Sequence, residues 1–446
     1  MIEKKEADFE NYEYNNSLPI YCDPATLSDE QRFLLGKSKV FCMLPWIHAH
    51  GAPDGRAYPC CISDMRLPVG NLREQTIKEV WNSDEYKQLR QNMLNEVESP
   101  SCSKCYELEK NGVFSMRNSF SKDFGHLIEI VDKTKPDGTL EEFKLKYIDI
   151  RFSNLCNLRC RSCGPLFSSN WFNDHVKLYG RKPEVNGKEL NSVEYAGRHK
   201  YDMWEQLQEH VPYIEQIYFA GGEPLIMEEH YLILDELIRQ GRTDVRLTYN
   251  TNFSVMSYKD KHVFDYWQQF KSVSVGASLD DDYARGEYMR KGQVWADVEA
   301  NRRRMLEVCP NVDFYVSSTI SIFNVLHITE FHRAWVEAGL IRPDQWNVNI
   351  CQSPDYYRVD ILPDYYKQIA VERLVKHIAW LEPMDTLTRA VVGFKGLLNF
   401  IQQTPTNNTH LQKFFEVTDK IDAVRNEKFE DVFPEYKELR SYVTTA

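Results

Sequence analysis

An α/β fold is predicted, a partial (β/α)6 barrel with a small N-terminal cysteine-rich module and C-terminal helices. Three observations predict it. Strand signals and helix signals alternate between about residues 140 and 365, as repeated βα units around a parallel sheet require. The cysteines gather in two tight groups with a few stragglers, and beyond Pro363 the pattern turns helical and then polar. The 446 residues suffice for two domains or three. The expected division is an arm over 1–39, a cysteine-bearing module over 40–120, the barrel over 140–365 and a helical region over 366–446.

The arm is polar and aromatic, with Asn11-Tyr-Glu-Tyr-Asn-Asn16 and no sustained periodicity. A charged linker, Asp132-Lys-Thr-Lys-Pro-Asp-Gly138, separates module from barrel, with turn chemistry at Pro136, Asp137 and Gly138. The first strand is marked by Ile148, Ile150 and Phe152, and the second runs from Ile214 to Phe219. Val245 to Tyr249, then Val273, Val275 and Ala277, then Val312, Phe314 and Val316, and finally Trp346, Val348 and Ile350 mark four more. Between strands, Tyr231, Leu234, Leu237 and Ile238 share one helical face with Gly241 as C-cap, and Trp295, Val298, Met305 and Val308 share another. Gln402 to Thr409 reads as a loop between terminal helices that cap or flank the barrel.

Composition is that of an ordinary soluble protein. No apolar run approaches the ~18 residues needed to span a bilayer, and the charged start lacks a signal-peptide core, so a cytoplasmic location is expected. With 54 basic against 66 acidic residues the net charge is −12, which disfavours nucleic acid as a non-specific partner. Eleven cysteines, an odd number in clusters, point to metal ligation in a reducing compartment.

Cys156, Cys160 and Cys163 fall within eight residues, directly after the first strand. A four-iron four-sulfur cluster takes four thiolates, so three on one loop leave one iron for a small ligand. A zinc site with a fourth local ligand and a structural cluster completed by a distant cysteine are the other readings. At the ends of later strands stand Ala220-Gly221-Gly222-Glu223-Pro224, Asn250-Thr-Asn252 and Ser278-Leu-Asp280 with Arg290 beyond. In barrels of parallel strands, reactive groups collect at those ends.

The cysteine spacing resembles the radical S-adenosylmethionine superfamily. The resemblance implies that the open iron chelates S-adenosylmethionine and that an electron from the cluster releases a 5'-deoxyadenosyl radical, which abstracts hydrogen from substrate. Gly221, Gly222 and Glu223 look like the family's second signature, which receives the ammonium of S-adenosylmethionine. Ser278, Asp280 and Arg290 resemble the Ser-x-Asp...Arg pattern of its peptide-modifying branch. By that resemblance Ser278 and Arg290 bind the methionyl carboxylate and Asn250 lies near the nucleoside. A helix N-cap at Asp280 or Asp281 with a surface Arg is the plainer alternative. One departure is Ser162, where the family places an aromatic residue against the adenine; Phe167 or Trp171 could take that contact.

The other cysteine group runs from Cys42 through Gly55 to Cys60 and Cys61, with Cys102 and Cys105 further on. Together with Gly70-Asn-Leu and Trp81 to Arg90, it resembles the SPASM/twitch auxiliary-cluster module. The resemblance implies one auxiliary 4Fe-4S cluster on Cys42, Cys60, Cys102 and Cys105, with Cys61 a possible substitute for Cys60. A four-cysteine zinc site is the rival. The order is unusual, since this module normally follows the barrel. His48 and His50 are further possible ligands, although loop histidines are commonly exposed or structural. Cys22 and Cys309 read as ordinary thiols. Cys351, at the end of the sixth strand, is either a hydrogen-atom donor to a substrate radical or a small buried residue, and Asp280, Asp355, Tyr356 and Tyr357 are other polar groups for the same pocket.

The expectation is a radical S-adenosylmethionine enzyme of the SPASM/twitch type acting on a peptide or protein by oxidation, cross-linking or epimerisation. S-adenosylmethionine and two 4Fe-4S clusters would be its cofactors, with an external electron donor such as flavodoxin or ferredoxin and no membrane partner. A dehydrogenase or epimerase of a small sugar or aminocyclitol, and a non-catalytic metal-stabilised scaffold, are the alternatives.

Overall fold

The six expected strands all form, and each pairs in parallel with another of the six. The computed structural model describes residues 24–110, 114–407 and 409–443, so Cys22 and much of the expected arm lie outside the described residues. Two compact units divide the chain. The first takes the chain up to Phe152 and again from Tyr195 to Tyr218; the second takes Ser153–Glu194 and everything from Phe219 onward.

In the first unit, the Tyr147–Ile150 strand pairs in parallel with Gln216 and Ile217 on one side and with His50–Gly51 on the other. His50 stands directly opposite Asp149. From His50–Gly51 the chain folds back antiparallel as Arg56–Tyr58, which pairs with Gly70–Asn71. Gly55 makes the turn at φ +90, where a side chain would collide with Arg73 and Asn71. The Asp84–Leu94 helix is capped by Ser83 and buries Arg90 between the rings of Trp81 and Tyr86. The Arg90 Nε donates to the Pro45 carbonyl at 2.8 Å, tying this helix to the Cys42 loop. The arm also contains a helix that periodicity did not announce, Asp29–Gly36, begun by a reciprocal Ser28/Gln31 capping box.

In the second unit, Arg246–Thr251, Val273–Ala277, Asp313–Ile320 and Trp346–Ile350 form a parallel sheet in that order. Alternation sorts the two faces. Leu247, Tyr249, Val275, Phe314, Val316 and Trp346 are buried, with Tyr249 against Trp267 and Trp346 against Phe331 of the flanking helices. On the other face stand Asn250, Tyr315, Ser317 and Thr319, half-buried, with Asn347 and Asn349 exposed. The α/β class and the terminal helices are as expected. Arg389–Gln403 packs on the sixth strand, where Gly393 leaves room for Val348, and a loop leads from it to Thr409–Arg425. Among the described residues no helix is long and apolar enough to cross a membrane.

Thr409–Arg425 also reaches back to the first cysteine loop. Arg425 Nε donates to Asp174 at 2.8 Å, Arg159 Nη1 donates to the same carboxylate at 2.9 Å, and Arg425 Nη2 donates to the Arg159 carbonyl at 2.8 Å. The Arg425 side chain is fully buried. Breaking such a pair from one side strands a buried charge, so Asp174→Ala should cost about 3–5 kcal/mol of stability. Urea unfolding checks this, and a loss below about 1 kcal/mol, the range of exposed pairs, would contradict the clamp.

Candidate active site and metal centres

Cys160 lies on a two-residue strand, Arg159–Cys160, paired antiparallel with Arg290–Lys291, so that Cys160 and Arg290 face each other in register. Backbone bonds fix the loop around it. Arg161 N–H donates to the Met289 carbonyl at 2.8 Å and Cys163 N–H to the Cys160 carbonyl at 3.0 Å. The Trp171 indole donates to that same Cys160 carbonyl at 2.6 Å, and Ser169 Oγ accepts from Cys156 N–H at 3.2 Å. Trp171 is thereby buried under the loop, whereas Phe167 keeps 37% of its surface exposed. The three thiols are close enough to shift one another's titration. Burial pushes Cys156 up to about 12. Cys160 falls to about 7, first through its hydrogen bond with Cys163 and then through Arg290.

The glycine pair is seated on this loop. Glu223 N–H donates to the Leu155 carbonyl at 2.8 Å, and a Cβ on Gly222 would stand 2.1 Å from that same oxygen. Only glycine fits. The Glu223 carboxylate is 1% exposed and accepts from Thr251 Oγ1 at 2.7 Å, Asn252 N–H at 2.7 Å and Leu225 N–H at 3.1 Å. Desolvation outweighs these bonds and lifts it to about 7. Asn252 Nδ2 also donates to Asn157, between the first two cysteines, at 2.8 Å.

Arg290 is buried with its Nη2 donating to Asp280 Oδ1 at 2.9 Å and its Nη1 3.8 Å from Cys160 Sγ; its Nε has no hydrogen-bond partner. Asp280 also accepts from Thr319 N–H at 2.9 Å. Arg290 is thus held by Asp280 against the cysteine loop, and is no surface residue. Asn250 lies on the opposite strand face from Thr251, with its Oδ1 over Gly276. Ser278 N–H donates to the Thr251 carbonyl at 2.7 Å, and its residue is half-buried. A narrow cleft is lined by Ser162, Arg161, Asp280, Thr319, Phe323 and Tyr357 among others. Cys351 is buried with its thiol donating to the Ser353 carbonyl at 3.5 Å, in a setting that feels Asp280. Cys309 is buried with its thiol donating to the Phe264 carbonyl at 3.6 Å. Sequence reasoning missed Thr251 and Asn252 as the partners of Glu223, and Asn157 as the partner of Asn252. The Asn250-Thr-Asn252 motif carried that signal, one strand position further on.

In the first unit, Cys42, Cys60, Cys102 and Cys105 line one cavity with Leu44, Pro45, Ile62, Met93, Met116 and Phe120. Arg117 closes it, its Nη1 donating to the Phe41 carbonyl at 2.7 Å and its guanidinium paired with Glu109. Burial raises Cys42, Cys60 and Cys102, which favours the protonated thiols, and a metal binding there would displace those protons. Cys61 does not line the cavity; its thiol faces the Asp149 carboxylate. Between the two neighbours, Cys60 is the one with the other three cysteines. His48 and His50, read as commonly exposed or structural, are both buried.

Residues 42–106 match the SPASM family, described as an iron-sulfur cluster-binding domain. The match begins at Cys42 and ends one residue past Cys105, spanning the four thiols of the cavity. It bears out the expected auxiliary module and favours iron-sulfur over zinc there. No curated protein matches the chain. Among solved structures the chain is similar to native anSMEcpe with bound AdoMet and Cp18Cys peptide, at 14% identity over 58% of this chain and 65% of that one, TM-score 0.36. It is similar also to SuiB of Streptococcus suis bound to precursor peptide SuiA, at 16% identity over 67% and 64%, TM-score 0.37. The chain spans just under two thirds of the length of either. Likeness at this level is loose, and the chain's own side chains carry the functional reading.

The placement of the two adjacent thiols is directly testable. After anaerobic reconstitution, Cys60→Ser should lower bound iron by about four per chain, one cubane, while Cys61→Ser keeps it. Equal iron in both variants would contradict the assignment.

Proposed function

We propose that the chain is a radical S-adenosylmethionine enzyme of the SPASM type that modifies a peptide or protein. One observation carries the reading: three thiols on one loop share their site with a buried carboxyl and a buried guanidinium, and no fourth cysteine is within that loop. Three thiols suit a cubane with one iron left for a ligand. When bound there, such a cluster supplies the electron that cleaves S-adenosylmethionine to a 5'-deoxyadenosyl radical.

The chain's own residues would do the positioning. Cys156, Cys160 and Cys163 would hold the cluster. Glu223, desolvated and without an ion-pair partner within 4 Å among the described residues, would take the ammonium of S-adenosylmethionine, with the Gly221–Gly222 backbone close by. Arg290 would present its unpartnered Nε to the carboxylate while Asp280 holds the other end of the guanidinium. Ser278 and Asn250 stand on the polar strand face beside them. That face, with Tyr315, Ser317, Thr319, Asn347 and Asn349, offers alternating amide and hydroxyl groups, and such a row supports a substrate rich in hydrogen-bonding groups, as a peptide backbone is.

The reconstituted chain, given dithionite and S-adenosylmethionine, should form 5'-deoxyadenosine, and Cys163→Ala should abolish it. No 5'-deoxyadenosine from the iron-replete wild type would sink the proposal.

Glu223 adds a pH signature. Its carboxyl is protonated below about 7 and must ionise to meet an ammonium, so S-adenosylmethionine should bind more tightly as pH rises toward 7 and level off above it. Each unit below should cost up to about tenfold in Kd. Glu223→Gln should bind weakly with a flat profile over the same range, and an unchanged slope in that variant would remove Glu223 from the ammonium site.

A further inference from the structure

The first unit holds a second group of metal-competent side chains outside the four-cysteine cavity. His48, His50 and Asp149 are all buried and offer ligand atoms lying within 4.8 Å of one another. Register brings two of them together, because His50 and Asp149 are directly opposed on neighbouring parallel strands. The third follows from the chain's course two residues earlier.

Each side chain is aimed as a ligand would be. His48 Nδ1 sits 3.1 Å from the Tyr147 carbonyl, so that nitrogen carries the proton and Nε2 presents a lone pair. That Nε2 is buried and has no hydrogen-bond partner. A ring nitrogen donating to a backbone carbonyl is how metal-bound histidines are usually oriented. His50 Nδ1 is likewise buried without a hydrogen-bond partner and lies 3.3 Å from Asp149 Oδ2. That separation is long for a charge-assisted hydrogen bond. It matches the edge of a tetrahedron of donors about 2.0–2.1 Å from a central zinc, which is roughly 3.4 Å. The other such grouping, Asp281, Asp282 and His327, contrasts with it: there His327 Nδ1 is 2.6 Å from Asp281, an ordinary hydrogen bond.

Arg151 supplies the competing explanation. Its Nε lies 3.1 Å from Asp149 Oδ1 and its Nη2 3.5 Å from Oδ2. An Arg151–Asp149 ion pair accounts for the carboxylate, but it leaves both orphaned imidazole nitrogens unexplained. A carboxylate can serve both cations, with Oδ2 on the metal and Oδ1 kept on the arginine that orients it.

We propose that His48, His50 and Asp149 form a site for a zinc-class divalent cation with three protein donors, which staples the cysteine-rich segment to the Tyr147–Ile150 strand.

The full-length chain, with its clusters reconstituted anaerobically, is incubated with Zn²⁺ and passed over a chelating resin, and zinc and iron per chain are measured together with the zinc X-ray absorption edge. The expected result is about one retained zinc with a nitrogen/oxygen shell near 2.0–2.1 Å and the scattering of two imidazoles. His50→Gln and His48→Gln should each lose at least about tenfold in retained zinc with iron unchanged. No retained zinc, a shell of four sulfurs, or undiminished zinc in the variants would overturn the site. Should the variants not fold, the absorption spectrum of the wild-type chain decides the matter, and a shell without imidazole would overturn the proposal.

Discussion

The approach of Gly222 to the Leu155 carbonyl is the constraint on which the second unit's site depends. A side chain at Gly222 would stand 2.1 Å from that oxygen, so the bare backbone is what lets the Glu223 loop settle on the cysteine loop. Once seated, Glu223 N–H closes on the same carbonyl, and its carboxylate reaches Thr251 and Asn252 at the end of the next strand. Asn252 returns a bond to Asn157. Two loops and a strand end are joined in a ring around a carboxyl that burial keeps near neutrality.

From the opposite side the cysteine loop is held by charge. Arg161 is stacked on Tyr288 and paired with Asp422 and Glu427, while Arg425 and Arg159 share Asp174. Buried pairs of this kind add little net stability. What they contribute is position: the arginines flanking Cys160 have one arrangement that satisfies their partners, and the thiol's place follows from it.

The sequence disclosed those parts whose chemistry demands a local spacing. Three thiols for one cluster, a glycine pair against a backbone and six alternating strands each leave a mark within a few residues. The Ser28/Gln31 capping box was equally visible in the letters, although the absence of periodicity around it hid a helix of only two turns. Partners distant in the chain left no such mark. Asp422 and Arg425 meet the first cysteine loop across some 250 residues or more, and nothing local distinguishes them from surface charges. Asn250 drew attention as the first residue of its motif, yet strand alternation gives Asn252 the contact with Glu223. His48 and His50 read as loop histidines because the parallel strand that buries them lies about a hundred residues on.

Cys60 and Cys61 are neighbours whose thiols serve different surroundings, one the four-cysteine cavity and the other Asp149. Loops usually tolerate insertions, but the stretch from the Gly55 turn to Cys60 cannot. Removing one residue there would present Cys61 to the cavity in place of Cys60, and adding one would bring Pro59 to Cys60's position and Cys60 to that of Cys61. The length of this stretch is therefore under stricter control than its composition, and homologous chains should vary in the four residues between Gly55 and Cys60 while keeping their number.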